Sequence, residues 1–262
     1  MSGRSKKFLE VQIAEVGDLT KIIKKIYPVV REGYLIFVKP DSNNEKGGIV
    51  LQQMSEDKNI YVDMRLESKY FDPFTCTDKQ MRIGIDFKNF FTVLNLIKDN
   101  VPVNMYMRHN STDTLYVRSV EDRPVKIDFI LIKIDDQQIP KMSLDGRCRF
   151  KINRNEFRSI CSELNGISDK VMITATNDTM TFNVTSKEIG VIEKSMDVTY
   201  MGKNTVNVDG EFDVSKILSF IDYIKKEKET EIIMDKDFPL VLLFDIPNLG
   251  TMKVSFSPID SN

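Results

Sequence analysis

One histidine in 262 residues, His109, leaves the chain without a multi-histidine metal site. It stands in the turn-like stretch RHNSTDT and reads as a structural or solvent-exposed side chain. Cysteine is scarce too. Cys76, Cys148 and Cys161 lie far apart in no metal-ligand spacing, the pattern of buried thiols in a reducing compartment. There is no P-loop, GxGxxG, GxSxG or CxxC pair, so phosphate-cradling, dinucleotide, acyl-transfer and dithiol chemistries have no motif here. No apolar run approaches the roughly 18 residues of a membrane span. The basic N-terminal MSGRSKK has no apolar segment behind it, which argues against a secretory signal; a fraying end is the simple reading and a nuclear address the alternative. Acidic residues are plentiful, but abundance alone pairs no carboxylates. Neither a metal, a cofactor nor an enzyme is expected.

What is present is alternation. FLEVQIAEV (8–16), YLIFVK, IVLQQM, NIYVDMRL, VNMYMRH, TLYVRS and PVKIDFILI read as half-buried strands. Two helical stripes interrupt them. Leu19, Ile22, Ile23 and Ile26 lie on one face after a candidate N-cap, Asp18; Phe90, Phe91, Leu94 and Ile97 follow Asp86. After IKIDDQQIPKMSLD (132–145), which has no helical period, the order recurs. RCRFKI precedes a helix opened by Asn153 with Phe157, Ile160, Cys161 and Leu164 on its stripe; Asp213 opens another with Val214, Ile217, Leu218, Ile221 and Ile224. GIDFKNFFTVLNLIKDN and GEFDVSKILSFIDYIKK resemble each other residue for residue. The chain therefore reads as a duplicated α+β unit, each copy an antiparallel sheet with two helices: 1–131, a linker 132–145, and 146–262.

Charge is informative once sorted. Helical windows 16–30, 86–98, 153–165 and 213–228 hold 11 Lys and Arg against 7 Asp and Glu, while the whole chain carries net −2. Three of those acids, Asp18, Asp86 and Asp213, sit at helix starts, where the dipole favours them. Solvated polar faces are one reading. Four helices facing a polyanion are the other.

IVLQQMSEDKNIYVDMRLESKYFDPFTCT, IGIDFKNFFTVL, TDTLYV, the linker Ile139–Pro140, NEFRSICSELNGISDKVMIT and FPLVLLFDIPNLGTMKVSFSPI resemble the eukaryotic-type DNA sliding clamps, the proliferating cell nuclear antigen family, over nearly the whole chain. The resemblance implies a two-domain protomer and a head-to-tail homotrimer whose helices line a hole for duplex DNA. It implies no chemistry, only a tether for DNA polymerase and other peptide-motif-bearing replication or repair proteins, placed by a clamp loader. It implies no membrane partner. Expected localisation is the nucleus, or a cytoplasmic viral replication site for a virus-encoded member.

Residue by residue, Lys21 falls where that family has a channel lysine. Lys24, Lys25, Lys88, Lys98, Arg154, Arg158, Lys216 and Lys225 join it by helix face, whereas Thr92, Asn95 and Ser162 replace expected cations. The implied peptide groove takes Met54, Ile139, Pro140, Pro239 and Pro258, with Met142 and Leu144 as further apolar linker residues. Ser255 stands where the family has Tyr, Gln137 and Gln138 stand where it tends to be apolar or Gly, and after Pro258 only IDSN remains of an acidic tail. Protomers are expected to meet edge to edge, through Val125, Ile127 and Phe129 on one side and Ile189 and Val191 on the other. A subunit of a heterotrimeric checkpoint-type ring, a non-ring replication or transcription factor, a carboxylate-using nuclease and a plain scaffold are the competing readings.

Overall fold

The computed structural model describes residues 6–40, 47–135, 147–221 and 228–259. Along the chain run β1 (Lys7–Ile13), α1 (Gly17–Ile26), β2 (Glu32–Val38), β3 (Gly48–Met54), β4 (Ile60–Glu67), a 3-10 turn (Ser68–Tyr70), β5 (Phe71–Cys76), β6 (Gln80–Asp86), α2 (Phe87–Leu94), β7 (Val103–Arg108), β8 (Ser111–Ser119) and β9 (Lys126–Ile130). The second series is β10 (Cys148–Asn153), α3 (Arg154–Asn165), β11 (Lys170–Thr176), β12 (Thr179–Ser186), β13 (Gly190–Tyr200), β14 (Asn207–Asp213), α4 (Val214–Ile221), β15 (Glu229–Met234), β16 (Leu240–Ile246) and β17 (Gly250–Phe256).

Packing divides the chain into a first unit of Met1–Ser55, Val62–Ile139 and Asp245–Met252, and a second of Glu56–Tyr61, Pro140–Phe244 and Lys253–Asn262. In the first, β5-β1-β7-β8-β9 form one antiparallel sheet and β2 pairs with both β3 and β6. Strands of both sheets and both helices meet in one core, where Leu19, Phe37, Met64, Phe90, Met105 and Leu115 surround a small void. In the second, β11 pairs with β12 and β14, β13 with β12 and β10, and β15 with β10 and β16. Its core is phenylalanine-rich: Phe150, Phe157, Phe182, Phe212, Phe220 and Phe244 are all buried.

The duplication is visible strand by strand. β7 pairs with β1 as β15 pairs with β10, and β6 with β2 as β14 with β11. One element differs. In the first unit the 3-10 turn breaks the run into β4 and β5, and β5 goes on to pair with β1. In the second, β13 does both jobs unbroken: residues 190–197 pair with β12 and residues 198–200 with β10.

Helix stripes follow the apolar period, and the caps do most of the local specification. The Asp86 carboxylate accepts from Asn89 N (2.7 Å), Asn153 from Asn155 N and Glu156 N (3.0 and 3.2 Å), and Asp213 from Ser215 N and Lys216 N (3.0 and 3.1 Å). Each satisfies an amide that has no intrahelical acceptor. Asp18 is not the cap of α1. That position belongs to Val16, without a side-chain hydrogen bond, and Asp18 sits inside the first turn. The second helix is shorter than its period suggests: α2 ends at Leu94, beyond which Leu96 N and Ile97 N donate three residues back, to Val93 O and Leu94 O (3.2 and 3.0 Å), in a tightened last turn. Its stripe gains Phe87, fully buried, while Phe91 is half-buried and stacks on Tyr27 at 5.2 Å.

The start of the linker is strapped to the first unit. Ile132 N donates to Gly84 O (3.1 Å), and Tyr34 Oη donates to Ile134 O (2.5 Å). A Cβ on Gly84 would lie 2.1 Å from Ile132 O, so only glycine lets β6 and the strap approach.

Candidate nucleic-acid interface and protomer edges

Each unit pairs its own two helices. With α1 burying Leu19, Ile22, Ile23 and Ile26, and α2 burying Phe87, Phe90 and Leu94, the opposite faces expose Lys21, Lys24 and Lys88 and half-expose Lys25. Lys98 is exposed just beyond the end of α2, and Thr92 and Asn95 add neutral polar groups. Lys21 is anchored, 3.1 Å from Asp18 and 3.8 Å from Asp99. Its hydrogen bond to Asp18, and the charges of both acids, raise its pKa above the ordinary lysine value despite slight desolvation.

The second unit's helices are different. Arg154, expected among the exposed cations, is only 6% exposed and donates Nη2 to Asn155 Oδ1 (3.2 Å). The reason is periodic: Arg154, Phe157, Cys161 and Leu164 share one stripe, which turns the guanidinium toward the protein rather than away from it. Arg158 is exposed, in company with Ser159, Ser162 and Glu163. Lys216 is half-buried, its Nζ 2.7 Å from Asp57 and 3.9 Å from Asp213. Lys225 lies outside the described residues.

Of the expected groove, Ile139, Pro140, Met142 and Leu144 fall outside the described residues. Met54 is half-buried at the end of β3 in the first unit. In the second unit Pro239 and Pro258 are half-buried, and Ser255 is 4% exposed within β17. Beside Pro239 the structure adds a residue that apolar spacing did not single out. Phe238 packs with Ile233 and Val241, and the Arg147 guanidinium covers its ring at 4.1 Å while pairing with Asp235 (3.3 Å).

The edges are the clearest geometric feature. β9 ends its sheet, hydrogen-bonded only to β8. Along it Ile130 is 65% exposed and Val125 and Ile127 are half-buried. Phe129, expected at an interface, is instead a core residue: 7% exposed, with its ring edge-on to Phe90 at 5.5 Å. Residues 190–197 of β13 pair with β12 on one side only, and Ile189 and Val191 are 66% and 72% exposed beside that edge. Bare apolar edges of this kind recruit further strands.

All three thiols are pushed up by desolvation, Cys161 to about 12, which disfavours the nucleophilic thiolate. Cys148 is half-buried rather than buried. His109 sits exposed in the β7–β8 turn against Phe8, ring centroids 5.1 Å apart. Among the described residues no three His, Cys, Asp or Glu side chains are grouped to hold a metal ion, and no helix is long and apolar enough to cross a membrane.

The family model for the proliferating cell nuclear antigen N-terminal domain matches residues 8–139, just over half of the chain. The chain belongs to the proliferating cell nuclear antigen family. A "Probable DNA polymerase sliding clamp" of Acanthamoeba polyphaga mimivirus is 26% identical over 97% of this chain, which spans 63% of that protein's length. A "Probable DNA polymerase sliding clamp 1" of Paramecium bursaria Chlorella virus 1 is 21% identical over 81% of this chain and 84% of its own. The crystal structure of proliferating cellular nuclear antigen from Entamoeba histolytica superposes with TM-score 0.83 over 97% of this chain and all of that one, at 14% identity, which shows the fold. Members of this family are non-enzymatic processivity factors, and a divergent viral member fits these relatives.

Proposed function

We propose that three copies of this chain close head to tail into a ring that encircles duplex DNA and tethers polymerases and other peptide-bearing enzymes to it. The observation that carries the reading is a pair of open strand edges. β9 pairs only with β8, and residues 190–197 of β13 pair only with β12, each leaving one side of its backbone free among the described residues. An edge of one copy laid on the other edge of a second copy is a heterologous contact, and repeated with a closing rotation it gives a ring.

The cations of α1 and α2 support DNA as the polyanion inside it. Lys21, Lys24 and Lys88 project from helix faces as point charges, which suit contacts to phosphate, and such contacts carry no sequence preference. Such contacts are individually weak. Direct binding to linear duplex is expected to fade steeply as salt rises, because each neutralised phosphate releases counterion. The deciding measurement is retention on circular DNA after loading: the protein stays at salt that abolishes binding to linear duplex and leaves when the circle is cut. Equal retention on cut and uncut circles, or tight sequence-specific binding to linear DNA, defeats the proposal.

A further inference from the structure

The two open edges also specify how they fit, and this rests on the ring reading above. Hydrogen bonds within the protomer fix which backbone groups are spent. Val125 O accepts from Ser119 N (3.0 Å) and Leu131 N donates to Asp113 O (2.9 Å), so odd-numbered residues of β9 face β8 and even-numbered ones face outward. In β13, Val198 N donates to Asp178 O (2.9 Å) and Tyr200 N to Asn177 O (3.0 Å), so even-numbered residues face β12 and odd-numbered ones the open edge. The sheet pairings inside both units are antiparallel. An antiparallel join must therefore set an even residue of β9 against an odd residue of β13.

Side chains choose among the registers that remain. With Lys126 opposite Glu193, Ile127 meets Ile192 and Ile130 meets Ile189. Sliding two residues one way brings Asp128 against Glu193, like against like. Sliding two the other way sets Ile130 against Lys187 and Lys126 against Val191. Sliding four sets Ile130 against Glu193 and drives Lys126 to Asp197, next to the point where β10 already occupies the edge. The ion pairs inside the protomer point the same way. Asp128 is held by Arg118 and Lys194 by Glu163, whereas Lys126 and Glu193, both exposed, have no ion-pair partner among the described residues.

We propose that Lys126 and Glu193 set the register in which a second copy of this chain docks, with Ile127–Ile192 and Ile130–Ile189 as its apolar pairs. The test uses the full chain and two independent readouts. In sedimentation equilibrium, Lys126→Glu and Glu193→Lys each weaken assembly by about tenfold or more, and the double swap recovers to within about threefold of the parent. In oxidative trapping, Ile127→Cys with Ile192→Cys gives an intermolecular disulfide, because a non-hydrogen-bonded pair places its Cα atoms about 4.5 Å apart. Ile127→Cys with Lys194→Cys does not, the separation there being about 8 Å. Stable assembly with no recovery in the double swap, or trapping through position 194, overturns the register and leaves the ring standing. A parent protein that stays monomeric at every concentration removes both.

Discussion

The two helix pairs of this chain share a scaffold and differ in the face they turn to solvent. α1 and α2 offer Lys21, Lys24 and Lys88 over stripes of isoleucine, leucine and phenylalanine. α3 keeps an equally apolar stripe, but one of its arginines is buried in that stripe and the other is flanked by serines and a glutamate; in α4, Lys216 is committed to Asp57. The difference teaches that core and surface have separate tolerances. A buried position touches many neighbours and loses several kcal/mol when changed, whereas an exposed polar face drifts at little cost. Among the described helical residues, the exposed cations are accordingly concentrated on the first unit.

The largest expected effect tests the boundary between core and edge. Phe129→Asp removes the ring packed on Phe90 and strands a carboxylate in the core of the first unit, a loss of roughly 4 kcal/mol or more that leaves little folded protein in a thermal melt. Ile130→Asp, one residue away and exposed, is expected to melt normally and sediment as monomer. If Phe129→Asp folds and merely dissociates, Phe129 belongs to the edge after all.

Next in size is the contrast between helix pairs. Replacing Lys21, Lys24 and Lys25 together with Ala is expected to reduce loading and polymerase stimulation well beyond what Arg158→Ala does. It is also expected to flatten the logarithmic salt dependence of direct DNA binding, by a slope of about 0.9 for each phosphate no longer neutralised. Sedimentation of the triple variant stays that of the parent. Equal effects from the two sets would show that the second unit carries as much of the DNA binding as the first.

The caps offer a smaller and cleaner comparison. Asp86→Ala and Asp213→Ala are each expected to cost about 1 kcal/mol in denaturant melts, because each strips an acceptor from amides at a helix start. Asp18→Ala removes a first-turn charge and its exposed contact with Lys21 but no backbone acceptor, and is worth about 0.5 kcal/mol. An Asp18 loss matching the other two would restore it as a cap.

Smallest of all is a pH effect. Burial pushes the Glu10 carboxyl up, but the hydrogen bonds from Lys7 and Asn104 and the Lys7 charge together hold it below its ordinary value. A depressed carboxylate stabilises the fold above its unfolded pKa, and that contribution is lost as pH falls through the folded one. Melting temperature therefore drops slightly more in acid for the parent than for Glu10→Gln, and an identical acid slope in both would show the pair to be inert.

The sequence made the helices legible because an apolar residue every three or four positions has few other meanings, and Asp86, Asn153 and Asp213 each precede such a run by the distance a cap needs. Asp18 precedes one too, yet the helix begins before it, at a Gly17 that no cap rule selects. Arg154 was legible only as a charge, and charges are assumed outward; its place on the Phe157 stripe settles the matter the other way. Phe129 sits in an alternating strand whose two faces look alike until a second element, here α2, chooses one. The Lys216–Asp57 pair joins positions 159 residues apart, a distance over which no local pattern reaches. Of the groove, the linker residues are outside the described chain, and Phe238 became visible only once Arg147 was seen to cover it.

The unbroken run of β13 has a kinetic consequence. Because residues 198–200 are stitched to β10 and residues 190–197 to β12, the stretch whose other side is bare is already extended when a partner arrives. Ordering a loose segment at that moment would cost about 1–2 kcal/mol for each residue fixed. A rigid template avoids most of that penalty, so protomers are expected to associate without a folding step. Stopped-flow mixing should then show a single phase whose rate climbs in proportion to protein concentration, and backbone amides of residues 190–197 should resist exchange in the monomer wherever they face β12.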